Sequence, residues 1–564
     1  MAFRFGAAAF ILVFAIYLFL GGMGLTDRGN PNARDAPYNL LARGLLSGHL
    51  YLDREAPPFL AHLTNPYDRQ ANADARDIRL RLHDMSYYRG KLYLYFGVAP
   101  ALLVFIPWHL LTGGWLPQWV AVVVLCSAGL LVNLSLVWAV RTSAFAGARS
   151  WLAAPLVFVL GLASFAPLLL ARADLWEVPI ALSYLAISGA LRCLWETLDA
   201  GPRSVRWMAA ASALLGVAFA SRPTMLPNAA ILILPFAFGK NARNPLAWAA
   251  AAIPFALCGA GVAAYNAARF GNPFDFGLRY ALDAYPYRGS VSFIPSNLGA
   301  YLFRWVRLTP FFPYLAEPDP VPRAFLPAHY DGAQDVAGAL VCSPVLWMAL
   351  VLPFNLRQLG GRGRLTLFAT ALVWVASSSL LFFASFYYAC ARYAFEFIPA
   401  LAMLAVLGLL ATESDPRPRF RRVARWAWIP ALAVSSLVPV LFGIDRCVRD
   451  HNVSGLTSLS YGDFGGAEHD FAIARSLSPA NPGSRLGSAV ALLYSGRRPE
   501  ARAALEALVR DFPAHALAHY FLGAVLAADG RRGEAASQFE TAHRLDPDNR
   551  GIARALETAL AAGR

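Results

Sequence analysis

The sequence has 564 residues, of which 57% are hydrophobic and only 15% charged, so it is too apolar to be a string of soluble domains. The formal net charge is +14, and nearly all basic residues are arginines, many of which cluster in short loops between apolar runs. The positive-inside rule explains that distribution, and nucleic acid is therefore not a predicted partner. Six scattered cysteines without a CxxC pair indicate neither a zinc site nor a disulfide framework.

Apolar segments recur along most of the chain. A helix needs about 20 apolar residues to cross roughly 30 Å of hydrocarbon, and most of these segments approach that length. We therefore predict an all-α, polytopic helical membrane protein of about 11 spans. The apolar segments lie near residues 5–25, 97–112, 118–140, 151–171, 176–194, 207–221, 224–239, 246–266, 336–355, 365–386, 395–411 and 426–444.

The topology follows from the first two segments. Segment 5–25 has no clear small-x-small cleavage site, so we read it as an uncleaved signal anchor. Segment 97–112 is short and contains Pro100 and Pro107. If it does not cross, the arginine-rich loops all face the cytoplasm, and we predict a re-entrant or juxtamembrane segment. The N-terminus is then cytoplasmic, and the external regions are 26–96, 172–177 and 267–335. Loop 267–335 is rich in Tyr, Phe and Pro, which also suits a loop that only seals the fold at the lipid interface.

The chain changes character after about residue 455, where it becomes Ala-rich and predicts soluble helices. Positions recur with a period of 34 residues: Pro479, Pro513 and Pro547; Ala467, Ala501 and Ala535; Phe471, Leu505 and Phe539. This pattern is similar to tetratricopeptide repeats, which place small residues where paired helices touch. It is strong for 515–547, good for 485–513 and half a unit for 464–479. We predict a membrane domain at 1–445 and a repeat domain at 455–564 that docks a partner.

The polar stretch behind the first span carries a second resemblance. Asp35-Ala36-Pro37-Tyr38 precedes a mostly apolar run, and residues 83–95 read HDMSYYRGKLYLY ahead of a Pro-containing hydrophobic segment. This stretch resembles the first external loop of the glycosyltransferase C superfamily, in its protein O-mannosyltransferase and aminoarabinose-transferase branches. Asp35 and Tyr38 match the Asp-Glu-x-His/Tyr motif of that loop, whereas Ala36 replaces the usual Glu. Members of the superfamily take sugars from polyprenyl-phosphate donors on the outer membrane face.

The resemblance implies an inverting transfer, in which a carboxylate takes the proton of the attacking acceptor. Asp35 is the predicted base and Asp27 is its rival, while Asp84 is the second acidic position that places acceptor or metal. Each aspartate also has a structural interpretation. Asp35 precedes a helix start and could be an N-cap, Asp27 lies where lipid head groups are expected, and Asp84 suits a solvated turn.

A polyprenyl phosphate that leaves needs cationic partners, and the planar fork of arginine can bind two phosphate oxygens. Arg222 and Arg392 are the predicted phosphate contacts, although Glu396 at i+4 is the ordinary ion-pair partner of Arg392. The turn 172–177 resembles an external turn of the superfamily that offers acidic residues to the active site, although ionisable residues also suit a span boundary alone. The predicted substrate-binding residues are Tyr38, Tyr88, Lys91, Arg172, Glu177, Arg222, Arg392 and Tyr393.

The sequence thus predicts a glycosyltransferase of the bacterial inner membrane. It would transfer a sugar from a polyprenyl-phosphate donor to an envelope glycan, lipid or protein acceptor on the periplasmic face, where the repeats also lie. The expected partners are the lipid-linked donor, membrane lipids and a protein held by the repeats. No metal site is predicted, and a divalent metal stays open as a cofactor. The alternatives are a non-catalytic carrier or scaffold of envelope biogenesis and a surface-polysaccharide ligase, for which the large loop 267–335 would serve.

Overall fold

The computed structural model describes residues 2–24, 33–68, 84–199, 203–237, 240–282, 289–354 and 363–562. The chain divides into two compact units. The first, which we call the membrane unit, consists of Met1–Arg307 and Glu317–Gly443. The second, which we call the repeat unit, consists of Leu308–Ala316 and Ile444–Arg564.

The described residues include seven helices that are long and apolar enough to cross a bilayer. Each coincides with one of the predicted spans, which confirms the prediction of a polytopic helical membrane protein. Their burial differs: the apolar window of Pro245–Phe270 is only 17% buried, as suits a helix that faces lipid, whereas that of Glu177–Thr197 is 78% buried inside the fold. The seven helices are Ala2–Met23, Gln118–Ala144, Glu177–Thr197, Ser204–Ser221, Pro245–Phe270, Gly363–Ala384 and Pro418–Ser460.

The other four predicted spans form shorter apolar helices. Proline shortens or tightens them, since it lacks the N–H that a continuing helix needs. One begins at Pro223 and contains Pro227 within a stretch of 3₁₀ geometry, and another begins directly after Ser343 with Pro344. The apolar stretches are Ser150–Gly161, Pro223–Ala237, Pro344–Phe354 and Ile398–Glu413.

The segment predicted to lie beside the membrane is the helical stretch Ala101–Thr112. Twelve helical residues extend about 18 Å, which is well short of the hydrocarbon thickness. Leu110 and Leu111 are highly exposed, and Gly113 ends the helix in a left-handed conformation with φ of 71°. A juxtamembrane or re-entrant position agrees with this length.

A β-hairpin, which the sequence did not suggest, occupies the end of the first external loop. Strand β1 (Ser86–Tyr88) pairs antiparallel with strand β2 (Lys91–Tyr93). Arg89 and Gly90 between them both have positive φ, 49° and 76°, as a type I′ turn requires. The Ser86 hydroxyl donates a 2.8 Å hydrogen bond to the Gly277 carbonyl, and the Leu282 amide donates to the Met85 carbonyl. The second external loop therefore holds the hairpin in place.

Smaller elements complete the external side of the membrane unit. Helix Pro37–Leu46 packs against the stretch 101–105, and a short parallel strand pair fixes the chain just before Arg392. These and the remaining short elements are helices Pro37–Leu46, Phe59–His62, Ala166–Leu170, Ile294–Phe303, Ala339–Cys342 and Ala391–Ala394, and strands Gly332–Gln334 and Tyr388–Cys390.

The repeat unit consists of antiparallel helix pairs, as predicted. Small residues recur where an aromatic or aliphatic side chain of the paired helix packs. A Cβ added to Gly455 or Gly487 would lie within 2.8 Å of the Phe471 ring, and one added to Gly523 within 2.9 Å of the Phe539 ring. The helices after the long one are Phe464–Leu477, Pro482–Tyr494, Arg498–Asp511, Ala516–Ala528, Arg532–Leu545 and Arg550–Ala562.

The first repeat is more complete than the sequence indicated. Only half a unit was recognised at 464–479, but Gly455 in the last part of helix Pro418–Ser460 contacts Phe471 as the first helix of a repeat does. The same helix supplies the last predicted span. Because its apolar run and the repeat pattern follow each other without a break, the beginning of the repeat is hidden in the sequence.

Candidate active site

Trp176 lies at the centre of the largest group of predicted site residues. It is the last residue before helix Glu177–Thr197. Its indole Nε1 donates a 2.6 Å hydrogen bond to Oδ2 of Asp84, and the Tyr95 hydroxyl donates a 2.8 Å bond to Oδ1 of the same carboxylate. Asp84 adopts a positive φ of 57° directly before the hairpin. The predicted solvated turn is thus a turn whose carboxylate is oriented by two donors.

Two of the predicted arginines share the ring of Trp176. The guanidinium carbon of Arg172 lies 4.5 Å from the ring centroid and that of Arg392 lies 5.2 Å away. Arg172 is buried, and only 8% of its surface is exposed. Among the described residues, no carboxylate forms an ion pair with either guanidinium. Two positive charges therefore lie against the ring whose Nε1 binds the carboxylate of Asp84.

The tyrosines around Arg392 supply further donors. Arg392 donates a 3.3 Å hydrogen bond to the hydroxyl of Tyr388, and this hydroxyl lies 2.8 Å from that of Tyr393. The ring of Tyr393 stacks on Phe383 with centroids 4.5 Å apart, which fixes its orientation. Two phenol groups and one guanidinium thus converge. One phenol proton lies in the bond between the two hydroxyls, so the guanidinium and the other phenol group can donate to an anionic oxygen.

Glu177 begins its helix beside this group. Its Oε2 accepts a 3.2 Å hydrogen bond from the amide of Asp174, and the side chain is fully buried. Glu177 also interacts electrostatically with Arg392. A carboxylate in the first turn of a helix is favoured by the helix dipole, so the sequence places Glu177 where its charge is tolerated. The structure thus brings together Asp84, Arg172, Glu177, Arg392 and Tyr393.

Arg222 belongs to a neighbouring group. Its Nε lies 2.5 Å from Oε1 of Glu396, and the side chains are 10% and 1% exposed. Thr224 donates a 3.2 Å hydrogen bond to the other oxygen of Glu396. The interpretation of Glu396 as the partner of Arg392 is therefore wrong, since Glu396 pairs with Arg222 across the fold. The charge of Arg222 is neutralised by this pair, and its role as a donor contact stays a prediction.

Tyr38 lies close to the Arg222 group. Its hydroxyl is 3.4 Å from the Gly97 carbonyl, and its ring stacks on Phe105 with centroids 5.4 Å apart. Burial raises the pKa of Tyr38 well above its usual value, although the positive charge of Arg222 opposes this. A Cβ added to Gly97 would lie 2.1 Å from the Ala220 carbonyl oxygen. Gly97 thus allows the loop that follows the hairpin to approach the helix end next to Arg222.

Asp35 lies in a different environment from Asp84. It is the last residue of the 3₁₀ turn Ala33–Asp35, and the N-cap of helix Pro37–Leu46 is Ala36, which has no side-chain cap. The N-cap interpretation of Asp35 is therefore wrong. Arg43 lies 3.5 Å from Asp35 and 2.6 Å from Asp53. Among the described residues, no hydrogen bond or ion pair joins Asp35 to the Trp176 group, and its role as base stays a prediction.

The remaining predicted residues lie on the hairpin or outside the described residues. Tyr88 and Lys91 form a cross-strand pair next to the turn, and the ammonium group of Lys91 lies 4.8 Å above the ring of Tyr51. Asp27 lies outside the described residues. Within the described part of the chain, no three His, Cys, Asp or Glu residues gather in a way that could hold a metal ion.

Sequence reasoning missed Trp176, Tyr95 and Tyr388 as parts of this group. Trp176 stands four residues after Arg172 in the same short turn, but its contact with Asp84 joins residues 92 positions apart. Only the unusual placement of an indole between two ionisable residues at the start of a span could have drawn attention to it. Tyr95 follows the hairpin, which was itself not predicted, so its return to Asp84 could not be expected.

Comparisons with known proteins identify tetratricopeptide repeats and find distantly similar solved structures. Residues 486–550 match the family model of the tetratricopeptide repeat. No curated protein matches the sequence. The crystal structure of ArnT from Cupriavidus metallidurans bound to undecaprenyl phosphate is similar with a TM-score of 0.40 and 14% identity, over 89% of this chain and 79% of that one.

A second solved structure is the archaeal oligosaccharyltransferase AglB from Archaeoglobus fulgidus in complex with an inhibitory peptide and a dolichol-phosphate. Its TM-score is 0.35 and its identity 12%, over 77% of this chain and 56% of that one. Both TM-scores are low, so the chemistry of this chain has to be derived from its own residues. The described structure and the family match together identify the C-terminal helices as tetratricopeptide repeats.

Proposed function

We propose that this protein is a membrane glycosyltransferase that moves a sugar from a polyprenyl-phosphate donor to an acceptor at the external end of the membrane unit. The observation that carries the proposal is the arrangement around Trp176, where Arg172 and Arg392 flank the indole that holds Asp84. Such an arrangement combines a proton acceptor with two cations in one place. The resemblance of the first external loop to the glycosyltransferase C superfamily independently supports the same chemistry.

The two arginines suit the phosphate of the donor. As the bond between the anomeric carbon and the phosphate oxygen breaks, its electron pair stays on the phosphate, whose negative charge increases. Arg172 and Arg392 stabilise that charge, and the hydrogen-bonded pair of Tyr388 and Tyr393 supplies one further hydroxyl donor. Partial burial of these groups strengthens the interaction, because less water screens the charges.

Asp84 suits the role of base. The acceptor hydroxyl or amine attacks the anomeric carbon from the face opposite the phosphate and transfers its proton to the carboxylate, so the configuration inverts. In the structure Oδ1 accepts a hydrogen bond from Tyr95 and Oδ2 accepts one from Trp176, which orients the carboxylate towards its role as a proton acceptor. Asp35, the base favoured by the sequence, is the second candidate, since its ion pair with Arg43 is long at 3.5 Å.

The charge distribution supports an orientation in the membrane. The Trp176 group lies where spans have their predicted external ends, whereas basic residues such as Arg364 and Arg425 lie near the beginnings of helices Gly363–Ala384 and Pro418–Ser460, at the predicted cytoplasmic ends. Arg364 donates hydrogen bonds to the carbonyl of Trp195 at the other end of the helix that Glu177 begins. We therefore assign the site to the periplasmic face of a bacterial inner membrane, and we assign the repeats the recruitment of an acceptor protein or an assembly partner.

The test is a comparison of envelope glycans, glycolipids and periplasmic glycoproteins by mass spectrometry. A deletion strain is complemented with wild type, Asp84→Asn, Asp35→Asn or Asp319→Asn, and expression of each variant is confirmed by immunoblot. Asp319 is an external carboxylate with 78% of its side chain exposed and therefore serves as the control. We expect one sugar to be missing from the deletion strain and from Asp84→Asn but present with Asp319→Asn.

Other outcomes have distinct meanings. A sugar restored by Asp84→Asn and lost in Asp35→Asn would move the base to Asp35. A glycan profile that the deletion leaves unchanged would contradict the proposed transfer. A deletion strain that accumulates the intact lipid-linked donor on the cytoplasmic side would favour a carrier instead.

A further inference from the structure

A continuous row of aromatic rings lies along the hairpin and the second external loop, and we call it the aromatic strip. Successive ring centroids are 4.5 to 6.3 Å apart. Aromatic rings at such spacings pack edge to face or in tilted pairs. In order, the strip consists of His49, Tyr51, Tyr93, Phe270, Tyr88, Tyr280 and Tyr67.

The middle of the aromatic strip is buried and its ends are open. Phe270 and Tyr93 are 4% and 8% exposed, and they anchor the strip in the fold. Tyr51, Tyr88 and Tyr280 are half-buried, and Tyr67 is 36% exposed. An extended molecule can therefore contact a row of rings that is already ordered, so little side-chain entropy is lost on binding.

Cations accompany the accessible rings. Lys91 lies 4.8 Å above the ring of Tyr51, Arg89 5.1 Å from that of Tyr88 and Arg279 4.7 Å from that of Tyr280. Arg279 has a carboxylate partner in Asp275 at 2.6 Å. Arg89 and Lys91 are exposed, and within the described ranges neither forms an ion pair. Two positive charges on the strip are thus available to a negatively charged ligand.

The aromatic strip leads to Asp84. The hydrogen bond between Tyr95 and Asp84 closes the base of the hairpin that carries Tyr88, Arg89, Lys91 and Tyr93. Tyr88 is four residues beyond Asp84, which corresponds to about 13 Å of extended chain. A ligand that lies along the hairpin therefore has one end near the proposed base.

We propose that the aromatic strip binds the acceptor, and that the acceptor is a saccharide that carries acidic groups. This inference rests on the proposed function, because it identifies the class of acceptor for the same site. A sugar ring presents a face of C–H groups that stacks on an aromatic ring. Different sugars of one chain can use Tyr51 on one side of the buried pair and Tyr88, Tyr280 and Tyr67 on the other. Carboxylate or phosphate groups of the saccharide pair with Arg89 and Lys91. A single phospholipid head group would contact only one or two of the rings.

The test uses the full-length protein in nanodiscs of zwitterionic lipid and measures binding by microscale thermophoresis. The probes are a six-ring oligogalacturonate, which has one carboxylate per ring, and maltohexaose, which is neutral. We expect the oligogalacturonate to bind at least 10-fold more tightly. The double substitution Arg89→Gln and Lys91→Gln should lower the affinity for the oligogalacturonate about 10-fold, as expected for the loss of two exposed charge pairs. It should leave the affinity for maltohexaose unchanged.

Matched variants separate the strip from general attraction to a basic protein. Arg307→Gln removes an exposed external arginine, 56% exposed and 3.7 Å from its carboxylate partner, and should leave both affinities within twofold. Tyr280→Leu should weaken the binding of both saccharides. If Tyr280→Leu does not fold, the exposed Arg89 and Lys91 still provide the test. Equal affinity for both probes, or an equal loss with Arg307→Gln, would overturn the inference.

The lipid alternative and the proposed function give different results. If phosphatidylglycerol in the nanodisc displaces the oligogalacturonate from the wild type, the cations bind lipid head groups and the inference is wrong. Asp84→Asn should bind the oligogalacturonate as wild type does. Loss of transfer in cells with the Arg89/Lys91 variant, together with normal binding by Asp84→Asn, supports both proposals. Normal binding without any Asp84-dependent transfer contradicts only the function.

Discussion

Tyr95 donates a 2.8 Å hydrogen bond to Asp84, from which it is separated in the chain by an entire β-hairpin. The same carboxylate accepts a hydrogen bond from Trp176. The guanidinium groups of Arg172 and Arg392 lie over the ring of this tryptophan. Hydrogen bonds and ring contacts therefore connect the hairpin, the carboxylate and the two arginines.

Removal of the Tyr95 hydroxyl should reduce transfer without unfolding the protein. Tyr95→Phe deletes one of the two donors that orient Asp84. A hydrogen bond to a charged group contributes about 1.5–3 kcal/mol, which corresponds to a decrease of about 10- to 100-fold in kcat. The initial rate of sugar transfer measures this effect. Tyr461→Phe, on an exposed tyrosine of the repeat unit, is the control and should retain full activity. A lower affinity for the donor with unchanged kcat would contradict an orienting role.

Two substitutions at Trp176 should separate its two contacts. Trp176→Phe keeps an aromatic face for Arg172 and Arg392 but loses the N–H that holds Asp84, whereas Trp176→Leu loses both. We expect both variants to lose transfer, and only Trp176→Leu to lose affinity for polyprenyl phosphate, by several-fold. Native mass spectrometry with added polyprenyl phosphate measures the affinity. Equal affinities for the lipid in both variants would show that the ring does not position the arginines.

The Arg222–Glu396 pair should stabilise the membrane unit. Both side chains are largely buried, at 10% and 1% exposure, and removing one partner of a buried ion pair costs about 3–5 kcal/mol. Glu396→Gln should therefore lower the thermal unfolding temperature in detergent by several degrees. The double variant Arg222→Met with Glu396→Leu should recover much of the loss, because no charge is left unpaired. A double variant less stable than Glu396→Gln would contradict this explanation, because the loss of stability would then not come from an unpaired charge.

Gly97 should tolerate no side chain. A Cβ there would lie 2.1 Å from the Ala220 carbonyl oxygen and 2.3 Å from that of Ser221, both of which are backbone atoms. Gly97→Ala should destabilise the protein by about 1–3 kcal/mol through overpacking, as measured by thermal unfolding. Gly259→Ala is the matched control, since nothing lies within 4 Å of its added Cβ and the residue is helical. The control should be neutral or slightly stabilising.

The repeat unit should lose stability in mild acid at His515. Burial lowers the pKa of His515 below its usual value of 6.5, and the charge of His519 lowers it further, while a hydrogen bond to its own backbone opposes the shift. The unfolded chain therefore takes up a proton before the folded one does. Stability is complete above pH 6.5 and falls as the pH drops from 6.5 towards the folded pKa.

The same residue caps a helix, which suggests the variant that tests this pH dependence. Nδ1 of His515 accepts from the amide of Ala518 at 3.3 Å, and protonation would remove that acceptor. Asn481, 34 residues earlier, caps the preceding repeat through the amide of Ser484 at 3.1 Å. His515→Asn should preserve the cap and remove the difference in protection of helix Ala516–Ala528 between pH 7.5 and 5.5. Hydrogen exchange of the full-length protein, corrected for intrinsic rates, measures it. An unchanged difference would assign the effect to another group.

Local sequence patterns predicted the elements that depend on local chemistry. Hydropathy identified all seven long helices because each covers its span with consecutive apolar residues. The 34-residue period identified the repeats because every unit buries the same small and large positions. The first external loop was predicted as the region of the site, because so apolar a chain has no other use for its polar and aromatic residues, and part of the candidate site lies at its end.

Contacts between distant residues could not be predicted in this way. The hairpin was missed because its strands have three residues each, too few for alternation to show. Glu396 was expected to pair with Arg392 four positions earlier, but proximity in space put it against Arg222. Asp35 was preferred over Asp84 because it matched a motif, whereas only the fold reveals which carboxylate lies beside the arginines.

The type I′ turn at Arg89 and Gly90 has a consequence for how such a protein could diversify. Since Tyr95 and Asp84 close the hairpin at its base, the tip can change in length or chemistry without displacing the carboxylate that we propose as the base. Exchange of residues 87–92 between related chains would then change the preferred acceptor. The lipid-facing helices and the residues proposed to bind the donor would stay the same.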